Sequence, residues 1–135
     1  MGLTSVYAKG KFHVSDVVNA SFKKEFAGAQ SVTWSQIWDY QRALFIFDQH
    51  RVEAYFNSNG VLEGFARGIL YKEMPMAVMI SLEKHFPTAD FVAILEVSNT
   101  EGFFYCLTVE KQSKLYRVKA SVNGTIIEIV KKNRY

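Results

Sequence analysis

The chain has 135 residues, 49% of them apolar, 15% aromatic and 21% charged. That mix excludes disorder and leaves room for one ordinary domain, or two very small ones sharing a core. Sixteen basic residues are interleaved with thirteen acidic ones, for a net charge of +3; with no RRM, KH or zinc-finger signature, nucleic acid is not an expected partner.

Met1-Gly2-Leu3-Thr4-Ser5-Val6 is too polar and too short for a signal peptide, and lacks the Ser or Thr at position six that myristoylation prefers. Residues 1–13, with Lys9-Gly10-Lys11, are expected as a loose leader, on a chain that is either cytoplasmic or already stripped of its signal. Ser15-Asp16 then offers an N-cap and a first-turn acid for a helix to about Phe26. Val18, Phe22 and Phe26 recur at i, i+4 and i+8 as its apolar stripe, while Lys23, Lys24 and Glu25 face water. Gly28 stops it. The period then drops to about two, and strands are expected at 31–38, 40–48, 51–57 and 61–70.

A second helix opens at Pro75, whose missing N–H would be unpaired in a first turn anyway. It carries Val78, Leu82 and Phe86 and ends at Pro87. Strands follow at 90–98, 102–110, 114–121 and 125–132, rich in the β-branched and aromatic residues that pleated surfaces favour. No apolar run approaches the ~18 residues of a spanning helix. Only Lys131, Lys132 and Arg134 form a basic cluster, which reads as a solvated terminus.

The chain repeats itself. Val18-x-x-x-Phe22-Lys23-Lys24-x-Phe26-x-x-Ala29-x-x-Val32 returns sixty residues on as Val78-x-x-x-Leu82-x-Lys84-x-Phe86-x-x-Ala89-x-x-Val92. Asn59-Gly60 likewise returns as Asn123-Gly124. The expected fold is α+β: two tandem repeats at 14–72 and 73–135, each one helix followed by a four-stranded antiparallel meander. Units of about 60 residues are marginal alone, so the copies are expected to pack as one body.

The Asn-Gly turns assign faces. A three-residue loop with Gly60 in the left-handed conformation pairs Asn57 with Val61. Phe56, Leu62, Ala54, Gly64, Val52 and Ala66 then meet the helix, and Tyr55, Glu53, Glu63, Phe65, Arg51 and Arg67 form the open face. The second copy puts Ala120, Ile126, Tyr116 and Val130 inside, and Lys119, Arg117, Ile127 and Ile129 outside. Glu128 lands on the core side, where a lone charge is costly; either it sits at the sheet edge or the second register differs. Trp34 and Trp38 alternate, with Trp34 read as core and Trp38, at the strand end, as exposed.

The F-K-K-E-F-A-G-A helix, Val32-x-Trp34, Phe56-Asn57-Ser58-Asn59-Gly60-x-Leu62 and Met74-Pro75 together resemble the PepSY-like proteins. These are small secreted or periplasmic bacterial proteins, related in fold to β-lactamase-inhibitor proteins. The resemblance covers residues from about 14 to 131. It implies a tandem α+β fold, no cofactor, a role in binding proteins or peptidases, and a periplasmic or secreted location; it supplies no catalytic residue.

The residues themselves agree with a non-enzyme. His13, His50 and His85 sit in leader, turn and helix, without metal-ligand spacing. There is no Gly-x-Ser-x-Gly and no P-loop; Gly64-x-x-x-Gly68, in a strand, marks a bulge or close packing. Cys106, the only cysteine, excludes an internal disulfide and reads as a small buried hydrophobe. Glu53, Glu63 and Glu96 are scattered, with Arg51 and Arg67 as ordinary partners for the first two. What remains is the open sheet face, either plain solvated surface or a protein- or peptide-binding one. Its candidate contacts are Trp38, Tyr55, Phe65, Arg67, Arg117 and Lys119. The alternative is a small-molecule carrier or cryptic enzyme with a pocket between helix and sheet, which a buried cluster of polar side chains would favour.

Overall fold

The computed structural model describes residues 12–133; the expected leader through residue 11, and Arg134 of the basic tail, lie outside the described residues. In chain order it holds α1 (Asp16–Glu25), β1 (Gln30–Ile37), β2 (Tyr40–Phe47), β3 (His50–Phe56) and β4 (Leu62–Gly68). A 3-10 turn (Tyr71–Glu73) leads to α2 (Met76–His85), β5 (Asp90–Asn99), β6 (Gly102–Lys111), β7 (Lys114–Ser121) and β8 (Ile126–Lys132). Each expected helix and strand is present within two residues of its expected bounds. The chain divides into two compact units, one through Phe65 and one from Ala66.

In the first unit the Ser15 side chain accepts from the Val18 N–H and caps α1, satisfying one of the donors that every helix start leaves open. The apolar stripe of α1 then buries Val18, Phe22 and Phe26 against Ala43 and Phe45 of β2 and Val52, Ala54 and Phe56 of β3. Phe22 meets Trp34 and Phe45 edge-on, at 5.1 and 5.0 Å between ring centroids, the geometry the ring quadrupoles favour. A groove of about 400 Å³ opens between α1 and β1, with Phe22, Phe26, Val32 and Trp34 in its lining.

The second unit builds its core the same way, from Val78, Leu82 and Phe86 of α2 against Leu107 and Val109 of β6 and Val118 and Ala120 of β7. Two tyrosines brace it through their hydroxyls. Tyr71 stacks on Phe91 at 5.3 Å and its hydroxyl donates to Glu83 Oε2 at 2.8 Å. The Tyr105 hydroxyl donates to Glu96 Oε2 at 3.2 Å, and Arg67 Nη2 stands 2.9 Å from Glu96 Oε1. Burial first, and the neighbouring carboxylates second, push both phenols up to about 12. The neutral phenols therefore contribute stability that is complete below about pH 10 and lost as pH rises through about 12. Tyrosinate absorbance and circular dichroism, followed together, are expected to show the last two phenols ionising as the fold is lost. Replacing Tyr71 and Tyr105 with Phe should move that alkaline transition upward.

Both Asn-Gly hairpins have the expected three-residue loop. Asn57 N–H bonds to the Val61 carbonyl at 3.0 Å and Ser121 N–H to that of Thr125 at 2.9 Å, with Gly60 at φ 84° and Gly124 at φ 91°. Each glycine also lies directly on its helix. A Cβ on Gly124 would stand 2.5 Å from the Ala77 carbonyl oxygen, and one on Gly60 3.0 Å from Val17 Cγ2. The hairpin turns are therefore backbone seats for the helices.

Beyond the second hairpin the expected register is wrong. Ala120 pairs with Ile126, but Lys119 pairs with Glu128, so Ile127 is extra in the ladder. Such a bulge reverses the faces of every later residue. Ile129 consequently pairs with core Val118, Val130 with Arg117 and Tyr116 with Lys131. Glu128 moves to the open face beside Lys119, which removes the buried charge the uninterrupted register required.

Candidate functional site

The site is built on the face of β1–β3 that points away from α1. A two-residue turn, Trp38-Asp39, joins Ile37 to Tyr40. It lacks the glycine or asparagine such turns favour, yet Trp38 takes φ 52°. For a bulky side chain that is a strained conformation, costing on the order of 1–3 kcal/mol. The indole gains no burial in return: Trp38 is 89% exposed.

Behind this tip the cross-strand pairs are polar and aromatic. Arg42 lies opposite Ser35 on one side and Tyr55 on the other. Its Nε donates to Ser35 Oγ at 3.1 Å, and its Nη1 lies 4.0 Å from Glu53 Oε2. The Tyr55 hydroxyl donates to Glu53 Oε1 at 2.6 Å, and the Tyr55 ring meets Tyr40 edge-on at 6.3 Å. Burial raises the Tyr55 phenol above its ordinary value, helped by the hydrogen bond to Glu53 and that carboxylate's charge. Every group here is held by a neighbour. The arrangement is a hydrogen-bonded patch of polar and aromatic side chains.

The six sequence candidates fall in different places. Tyr55 belongs to this face, whereas Trp38 lies in the turn past the end of β1, where strand alternation no longer sets its side. Phe65 does not belong to it: its ring centroid is 6.1 Å from that of Phe26 on α1. Leu62 also packs on the first core, and two residues three apart share a strand face only where the alternation breaks. Gly64 lies inside that break. Arg67 points to the core side as well, because its partner Glu96 sits opposite Tyr105 of the second core. That pairing also corrects the expectation that Arg67 and Arg51 serve Glu53 and Glu63; Glu53 is served by Arg42, and Glu63 Oε2 accepts from Asn57 Nδ2 at 2.7 Å.

Arg117 and Lys119 lie on the open face of the second unit, as expected. Arg117 is exposed, whereas Lys119 Nζ sits 4.0 Å over the Phe104 ring and 3.3 Å from Glu101 Oε1. Cys106 is half-buried on the same face, between Leu95 and Lys119. It is not in the helix-side core, and burial raises its thiol against the pull of Lys119 and Arg117. Tyr40 and Arg42 were missed in the sequence, because nothing there gives the β1–β2 register. Among the described residues no His, Cys, Asp or Glu cluster could hold a metal, no polar or charged residue is fully buried, and no helix is long and apolar enough to cross a membrane.

Comparison with solved structures identifies the fold. A BLIP-like protein from Bacteroides fragilis is 17% identical, with a TM-score of 0.82 and 95% of each chain covered. The fold is BLIP-like. A DUF2874 family protein from Bacteroides uniformis is 18% identical with a TM-score of 0.82, over 88% of this chain and 90% of that one. A protein from Bacteroides eggerthii whose name suggests the periplasm is 18% identical with a TM-score of 0.82, over 89% of this chain and 90% of that one. None of these names is that of an enzyme. No family model matches the chain, and no curated protein matches it.

Proposed function

We propose that this chain is a non-enzymatic, inhibitor-like binding protein of the periplasm. It engages a protein or peptide partner with the open face of its first unit. The exposed, strained Trp38 carries this reading: a chain gains nothing for its own stability by holding an indole there. Burying an aromatic of roughly 200 Å² against a partner is worth about 5 kcal/mol gross. Tyr40, Tyr55 and Arg42, on the strands behind the turn, add the residue types that dominate interface energetics. Arg117 is a secondary contact on the second unit.

We further propose that the two units are tandem repeats of the PepSY-like kind. Their helices stand sixty residues apart, and each rests on an Asn-Gly hairpin. The BLIP-like name of a structural neighbour supports the inhibitor-like reading, and the name of another supports the periplasm. The absence of a fully buried polar residue among those described disfavours the carrier or cryptic enzyme.

The test is quantitative capture of a partner from a bacterial envelope fraction by wild type, Tyr55→Ala and Arg42→Ala, alongside thermal melts. Each variant is expected to weaken capture by about 1–2 kcal/mol or more while the melting temperature moves only a few degrees. Unchanged capture by both would remove the open face as the binding surface.

A further inference from the structure

The first unit has a second surface whose geometry is independent of the Trp38 face. Among the described residues, β1 has only β2 beside it in the strand order. Ile37 and Tyr40 flank a two-residue turn, so they form a hydrogen-bonded pair, and the ladder is regular from Thr33 to Ile37. By alternation Thr33, Ser35 and Ile37 spend their backbone groups on β2, whereas Trp34 and Gln36 turn their N–H and C=O outward. Side chains alternate with the same period. Trp34 lies against Phe22 on the α1 side, so the outward-facing backbone of Trp34 goes with the side that carries the groove.

A strand added along this edge would pair one of its residues directly with Trp34. That residue's side chain would fall on the α1 side, over the groove lined by Phe22, Phe26, Val32 and Trp34. Main-chain bonds would hold the added strand and the groove would choose its side chain, the division of labour found in strand addition.

Two observations name the occupant. Natural edges are normally guarded by charge or proline. The last strand, β8, carries Glu128, Lys131 and Lys132, but Gln30–Ile37 reads Q-S-V-T-W-S-Q-I with neither charge nor proline. Among the lining residues of the groove, Lys23 is the one charged side chain, and Lys24 follows it in the last turn of α1. A partner with acidic groups beside its apolar anchor complements that rim.

We propose that the free edge of β1 accepts an extended segment of a partner protein by strand addition, with an apolar side chain opposite Trp34 seated in the α1–β1 groove and an acidic neighbour at Lys23. This goes beyond the open-face reading and stands or falls separately, since the two surfaces lie on different sides of the sheet.

The probe is the capped peptide Thr-Glu-Thr-Phe-Thr-Glu-Thr, titrated into the full chain and followed by amide NMR. The Trp34 and Gln36 amides and the Trp34 indole are expected to shift. N-methylation of the Phe, whose N–H would face β1, should weaken binding by roughly tenfold. N-methylation of the adjacent Thr, whose N–H would face away, should leave it nearly unchanged. Lys23→Glu should weaken binding severalfold and be rescued by a peptide with Lys in place of Glu. Val32→Lys should weaken it too, by placing a guarding charge on the edge. No binding at millimolar peptide would overturn the proposal, as would equal effects of the two N-methyl groups or shifts confined to Tyr40 and Tyr55. So would concentration-dependent shifts at Trp34 and Gln36 without peptide, because a second copy would then be the occupant.

Discussion

Gly124→Ala is expected to lower the melting temperature by roughly 10 °C. Two costs combine. An alanine at φ 91° is strained by about 1 kcal/mol, as it would be in any turn of this kind. Its Cβ would also stand 2.5 Å from the Ala77 carbonyl oxygen and 3.3 Å from Ser81 Cβ. A backbone oxygen cannot rotate aside, so α2 must lift from its hairpin, an overpacking cost of about 1–3 kcal/mol. A total near 3 kcal/mol converts to roughly 10 °C for a chain of this size. Gly28 provides the control, because it has φ 92° but nothing within 4 Å of a built Cβ. Gly60, with Val17 Cγ2 at 3.0 Å and the Val17 carbonyl oxygen at 3.1 Å, should fall between them, since both approaches are longer than the 2.5 Å one at Gly124. Melts of the three alanine variants should rank Gly28, Gly60, Gly124 in rising cost. Equal costs would mean that turn strain accounts for everything and that the hairpins do not seat the helices.

Trp38→Asn is expected to move stability and binding in opposite directions. Asparagine tolerates the left-handed region and is preferred in two-residue hairpin turns, so the variant should gain about 1 kcal/mol and melt a few degrees higher. Losing the indole should weaken partner capture by about 2 kcal/mol or more, as removal of a central aromatic anchor does. A variant that is more stable but binds less would show that the strain at Trp38 is retained for recognition. Unchanged capture would leave Trp38 as an ordinary exposed residue and remove the observation on which the proposed function rests.

Much of the fold was legible because its signals are local. The helix stripes, Ser15, Pro75 and the two Asn-Gly turns each state a backbone preference within a few residues. The bulge in β8 is different, since an extra residue in a ladder leaves no mark on local propensity. Glu128 did betray it, as a charge that an uninterrupted register would bury, and Gly64 marks the same kind of break in β4. Phe65 and Arg67 were misplaced for that reason: one break reverses the side of everything after it. The Arg42–Ser35–Glu53–Tyr55 cluster was not legible at all. Its members come from three strands, and their meeting depends on a Trp38-Asp39 turn that has no glycine or asparagine to fix its length.

The composition of the first core has a consequence for biosynthesis. Every fully buried residue of that cluster lies between Val18 and Phe56, and the half-buried residues around it extend only from Val14 to Leu62. Phe65, which packs on Phe26, follows directly, so the residues clustered with these aromatics are translated within the first half of the chain. A nascent chain can therefore cover its stickiest surface while its second half is still being made, before Ile94, Leu107 and Val118 emerge to require shielding of their own.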